Sequence, residues 1–182
     1  MAKIEKVSTY FLGYGPENTD NVIEAVSRRL EEGDIKTVVV ASTSGQTGAK
    51  FAEALKDKAK IVAISHETMS PSLKEKIVKL GGLAADKTHL PLHQMGMDDV
   101  RNAFYVLGQG FKVSIEVILI ATDLKLIEPY KDVIGVAGTG EGADTAIVAR
   151  STTTKEIFSK DEKKKLEVRE ILAMPLKKNW WG

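Results

Sequence analysis

A chain of 182 residues with 43% hydrophobic content has apolar material for one well-formed core and is short for two, so we expect a single domain over residues 1–182. A formal net charge of +1, with acids and bases mixed along the chain, offers no electrostatic footprint for nucleic acid or an anionic membrane. The absence of cysteine excludes disulfides, thiolate catalysis and Cys-ligated metals, while 28% charged residues suit a heat-tolerant protein.

The opening MAKIEKVSTYFLG lacks the apolar core and small-residue cleavage site of a signal peptide, and no apolar run reaches membrane-spanning length. The expected location is the cytoplasm. Residues 6–12 read as a first strand, punctuated by GYGPENTD. Val22, Ile23, Val26 and Leu30 then form the apolar stripe of a helix, with Asn18 or Thr19 as its N-terminal cap and Gly33 where a left-handed C-terminal cap belongs. Residues 36–42 form a second strand, in which Val38, Val39 and Val40 in succession predict cover on both faces. A helix over residues 46–55 follows, then a third strand at 60–65, then a helix opening near Ser70 and Pro71 and ending in paired glycines. Such alternation implies parallel strands joined by right-handed crossovers.

Residues 86–96 are irregular, with a short strand expected at 87–90 before Pro91 interrupts it, and helical spacing returns at 97–107. In FKVSIEVILIATDLKLI, Val113, Ile115, Val117 and Leu119 alternate as in a strand, yet the length and the stretch from Ala121 to Leu126 favour a buried helix, which is our expectation. Two β-like runs, 132–137 and 145–150, are joined by GTGEGAD. That connection is too short for a crossover helix, so the two strands should be antiparallel. A last strand is expected at 168–174.

The stretch most informative about function is TVVVASTSGQTGAKFAEAL, where an apolar strand ends in small polar residues immediately before a helical pattern begins. Ser42, Thr43, Ser44, Gly45, Gln46, Thr47 and Gly48 bring hydroxyls and exposed N–H groups to a helix start, whose unpaired donors and positive dipole end suit an anion. An ordinary turn with a capped helix explains the same residues. The loop has neither the Gly-Lys-Ser/Thr ending of a Walker A sequence nor a dinucleotide fingerprint, which disfavours nucleoside triphosphate hydrolysis.

Three segments, VVVASTSGQTGAKFAEAL, GQGFKVSIEVILIATDLKLI and GTGEGADTAIV, together resemble the pyruvate kinase C-terminal (α/β) domain, and more closely the family of stand-alone proteins made of that domain alone. The resemblance runs from PENTD to ILAMP and is most specific at TSGQTG and GADTAIV. It implies a three-layer α/β/α fold with a mostly parallel sheet and an antiparallel portion, and favours helix for residues 111–127. It also implies that the Ser/Thr-Gly loop receives a phosphate, and that the ligand is flavin mononucleotide (FMN). Kinase chemistry is not implied, because 182 residues leave no room for the catalytic barrel and function is argued from the site rather than the fold.

On this reading FMN is the cofactor, with N–H donation from residues 45–48 and hydroxyl donation from Thr43, Ser44 and Thr47. The second glycine-rich loop, Thr139, Gly140, Glu141, Gly142, Ala143, Asp144 and Thr145, is expected beside the first at the carboxyl edge of the sheet, although a tight turn between antiparallel strands needs glycine just as much. His66, directly after the third strand, is placed at the same edge, as a ligand contact or a polar loop residue. Gly13, Tyr14 and Asn18 offer a further wall.

His89 and His93 have metal-pair spacing, but Pro91 between them argues against it, and no metal is expected. Glu116, inside an apolar segment, must be paired or directed at the site. Lys163, Lys164 and Lys165 alternate with acids as a solvated surface does. Trp180 and Trp181 are expected to pack on the domain or on another subunit, which leaves a homo-oligomer open. The reading is thus a phosphorylated small molecule bound by a protein that partners neither nucleic acid nor membrane. A flavin-dependent oxidoreductase and a regulatory module sensing a phosphorylated metabolite are the alternatives.

Overall fold

The computed structural model describes residues 3–179, so the expectation for Trp180 and Trp181 lies outside the described residues. Among those residues, seven strands form one sheet: β1 (Thr9–Phe11), β2 (Thr37–Ala41), β3 (Lys60–Ile64), β4 (Leu83–Ala85), β5 (Asp132–Ala137), β6 (Thr145–Arg150) and β7 (Glu167–Pro175), in the order β1-β7-β6-β5-β2-β3-β4. The helices are α1 (Thr19–Leu30), α2 (Gln46–Leu55), α3 (Pro71–Lys79), α4 (Asp98–Tyr105) and α5 (Gln109–Asp123). All neighbouring strands pair in parallel except where β6 meets β5 and β7. Strand β6 alone therefore runs against the rest, and GTGEGAD is the tight return that reverses it. No helix of the described residues is long and apolar enough to cross a membrane.

The three successive valines of β2 explain why the sheet has helices on both faces. Val38 and Val40 join a core with Val22, Val26 and Leu30 of α1 and Phe51 and Leu55 of α2, while Val39 points the other way, into a core with Ile115, Ile118 and Leu119 of α5. Residues 111–123, ambiguous between strand and helix, are helical because α5 is buried along most of its length and needs no polar face. Its small polar residues are satisfied inside the helix: the Ser114 hydroxyl donates to the Gly110 carbonyl and that of Thr122 to the Ile118 carbonyl.

Three local expectations are corrected. The first strand is only three residues long, because β1 pairs solely with the end of β7, and Lys6 instead reaches Glu32 and Glu170 at 2.8 and 2.9 Å. The edge strand is residues 83–85 rather than 87–90, since Lys87 takes a left-handed conformation (φ 54°) that no strand accommodates. Neither candidate side chain caps α1: the Asn18 amide donates to the Gly13 carbonyl, and the Thr19 hydroxyl to the Pro16 carbonyl. Gly33 is left-handed beyond α1, as expected, and its N–H meets the Leu30 carbonyl at 3.0 Å.

Candidate functional site

From β2 the chain crosses by α2 to β3 on one side, whereas its other neighbour, β5, is reached much later through α5 on the opposite face. The loops leaving β2 and β5 therefore part at their carboxyl ends, and a crevice opens between them. Helix α5 precedes β5 and runs back along the sheet, so its N-terminal half arrives at the same edge. A cavity of about 830 Å³ occupies this crevice.

One wall is the loop from β2 to α2. The buried Ser42 hydroxyl accepts the Gly48 N–H at 2.9 Å, and the Ser42 carbonyl accepts the Gly45 N–H at 3.2 Å. Gly45 turns the chain through a left-handed conformation (φ 95°), and a Cβ there would press on Leu73 at 3.0 Å. Gly48 lets the first turn of α2 lie on β3, where a Cβ would come within 2.7 Å of that of Ala63. These two glycines thus shape the loop from behind and do not line the cavity. Gln46 N–H reaches the Ser44 hydroxyl at 3.3 Å. The N–H groups of Thr43, Ser44 and Thr47 meet no partner among the described residues, so they, with the hydroxyls of Thr43 and Thr47, are the donors this wall offers.

The opposing loop is held from within. Asp144, fully buried, accepts the Thr139 N–H at 2.9 Å and the Thr145 hydroxyl at 2.7 Å, while the Ala143 N–H meets the Thr19 hydroxyl at 3.0 Å. Thr139, Ala143, Asp144 and Thr145 consequently build the loop, and Gly138, Gly140, Glu141 and Gly142 line the cavity. His66 lines it as well, exposed and 3.4 Å from Glu67. Gly13, Tyr14 and Asn18 stand outside the lining, where Pro16 and Thr19 take their place. Lys50, on the second turn of α2, lines the cavity while paired to Asp20 at 2.7 Å.

Facing the β2–α2 loop is one face of α5, which contributes Gln109, Lys112, Val113, Glu116, Val117 and Ile120. Lys112 is only 2% exposed. Its ammonium donates to Glu116 Oε2 at 2.5 Å and to His93 Nε2 at 2.7 Å, and lies 5.5 Å from the centre of the Tyr105 ring. Glu116 also accepts the Leu92 N–H at 3.1 Å, so the carboxylate is both paired and at the cavity wall. Burial pushes the Lys112 ammonium below the ordinary lysine value, with Glu116 pulling against it. Burial, and then the charge of Lys112, pushes the His93 imidazole down, which favours the neutral ring that accepts from Lys112. His89 pairs instead with Asp123 at 3.1 Å, so the two histidines serve different partners, and no three His, Asp or Glu side chains gather as a metal site among the described residues.

Sequence reasoning missed Lys112, Tyr105 and Gln109, and weighed His93 only as half of a metal-spaced pair. One signal was present: a lysine one helical turn ahead of Glu116 in an otherwise apolar helix marks a buried pair. The family model described as pyruvate kinase, alpha/beta domain, matches residues 20–149, a span containing both cavity loops and the whole of α5.

Proposed function

Starting from the fact that this chain belongs to the pyruvate kinase alpha/beta domain family, we propose that it is a small-molecule-binding protein that holds flavin mononucleotide, with the phosphate on the loop at residues 42–48. The observation that carries this reading is the set of N–H groups of Thr43, Ser44 and Thr47 at the N-terminus of α2, without partners among the described residues and belonging to residues that line the cavity. Such donors, reinforced by the helix dipole, suit a dianionic phosphate. The cavity volume lies in the range of about 300–1,000 Å³ typical of small-molecule sites, and Val113, Val117, Ile120 and Ile64 give it an apolar wall for a flat ring.

When bound, FMN supplies one- and two-electron chemistry that no side chain offers. The chain's own residues bind and orient it: Thr43, Ser44 and Thr47 at the phosphate, and Gly138, Gly140 and Gly142 where backbone approaches the ribityl chain. A flavin-dependent oxidoreductase is the second reading, favoured by the buried ammonium of Lys112 at the cavity wall.

Fluorescence titration of the purified protein with FMN and with riboflavin, which lacks the phosphate, tests the proposal. FMN should bind at least tenfold more tightly, and Thr47→Glu should erase that difference by placing a carboxylate where the phosphate sits. Equal affinity for both would move the phosphate elsewhere, and binding of neither would remove flavin altogether, leaving the sensing of another phosphorylated metabolite to be tried with sugar phosphates.

A further inference from the structure

The Lys112 cluster is more than the phosphate reading requires. A buried ion pair is a poor device for stability, since desolvation offsets most of the attraction. Here the pair sits at a cavity wall, with Lys112 in the first turn of α5, where the helix dipole already favours negative charge, and Glu116 one turn further on. An ammonium has three protons to donate. Glu116 takes one and His93 a second, and the third has no hydrogen-bond acceptor among the described residues, its nearest aromatic face being the Tyr105 ring at 5.5 Å. The other titratable or charged groups near the cluster are Tyr105 and Arg101 of α4 and His66, two residues beyond β3. None accepts a hydrogen bond from Lys112.

We propose that Lys112 is the residue that neutralises charge developing on the ring of the bound ligand, and that Glu116 and His93 position its ammonium for that task. The inference rests on the flavin reading above and deepens it. A flavin ring that accepts two electrons from a reductant such as dithionite or a nicotinamide donor, together with one proton from water or within the transferred hydride, carries one negative charge. Lys112 keeps its own proton and directs the remaining Nζ–H at that charge. At a wall where the ammonium is itself only 2% exposed, such a donor discriminates between oxidation states. Glu116 offsets the charge of Lys112 in the resting cavity, so the oxidised ligand is not penalised. His93 accepts at Nε2 and fixes the direction of the third proton.

The test is the reduction potential of FMN bound to the full chain, measured by dithionite titration against a reference dye. Variants are Lys112→Met, the paired Lys112→Met/Glu116→Leu, which leaves no orphaned carboxylate, and the conservative Lys112→Arg. Circular dichroism establishes that each is folded. We expect both variants lacking the ammonium to bind reduced FMN at least tenfold more weakly relative to oxidised FMN, equivalent to a potential lower by about 30 mV for a two-electron couple. Lys112→Arg should recover most of that loss. Variants that bind FMN with an unchanged ratio overturn the inference and leave the binding reading standing. Equal loss of both oxidation states also overturns it, because Lys112 would then hold the ring whatever its charge. A wild-type protein that binds no FMN overturns the flavin reading and this inference with it.

Discussion

The hydroxyl of Ser42 accepts the backbone N–H of Gly48 at 2.9 Å, tying the end of β2 to the first turn of α2. Because this bond is buried, Ser42→Ala leaves an N–H without an acceptor and should destabilise the protein by about 1–3 kcal/mol. Ser44, exposed on the same loop, should tolerate alanine within about 0.5 kcal/mol. Urea denaturation of the two variants side by side measures the contrast. Similar losses would mean that the loop is not organised from Ser42.

Thr19 does the corresponding work for the second loop. Its hydroxyl donates to the Pro16 carbonyl and accepts the Ala143 N–H, although the residue belongs to α1. The near-isosteric Thr19→Val should cost about 1–3 kcal/mol and speed amide hydrogen exchange across residues 138–143, with FMN affinity falling in step. Exchange rates like those of the wild type would show that the loop is rigid without this anchor.

The buried Lys112–Glu116 pair predicts a non-additive result. Lys112→Met alone strands a carboxylate that is nearly inaccessible to water and should cost about 3–5 kcal/mol. Adding Glu116→Leu should recover most of the loss, because two apolar side chains then replace two charges. A double-mutant cycle by thermal denaturation reads the coupling directly. Simple additivity would mean that the two residues do not form a unit.

Much of this architecture was visible in the pattern of residues. The valines of β2 and the 3.6-residue spacing of α2 are strong local signals, and the seven-residue return between β5 and β6 admitted only an antiparallel pair. Strand β4 escaped because Leu83, Ala84 and Ala85 carry no β-branched residue, and only pairing with β3 makes them a strand. The cavity was half legible. Its loops carry a glycine signature, but which N–H groups are left unpartnered depends on the direction of the Ser42 hydroxyl, a tertiary detail. His93, Tyr105, Gln109 and Lys112 come from three segments that only the finished fold assembles.

At the far side of α1, Arg29 is clamped by Asp34 at 2.7 and 3.0 Å and by Glu170 of β7 at 3.0 and 3.1 Å. The Arg29 guanidinium, chiefly by hydrogen bonding, lowers the Asp34 carboxyl to about 2 from an ordinary 3.8. The unfolded chain therefore takes up the proton first as the pH falls. The contribution to stability is complete above about 3.8 and disappears as the pH falls through about 2. It is modest because the Asp34 side chain is 58% exposed. Asp34→Asn should reduce the dependence of stability on pH in this window, as measured by urea midpoints from pH 5 to pH 2. An unaltered slope would assign the acid sensitivity to other carboxylates.

Both outer strands of the sheet, β1 and β4, are three residues long, and Lys87 turns left-handed two residues beyond the end of β4. A sheet edge is a template on which foreign chains can add strands and begin to aggregate, and very short edges blunt it. This one gives an incoming strand only three residues to pair with before the backbone turns away. The apolar middle strands that create the cavity are thereby shielded from recruiting other chains. Extension of the sheet by another chain at either described edge is therefore disfavoured.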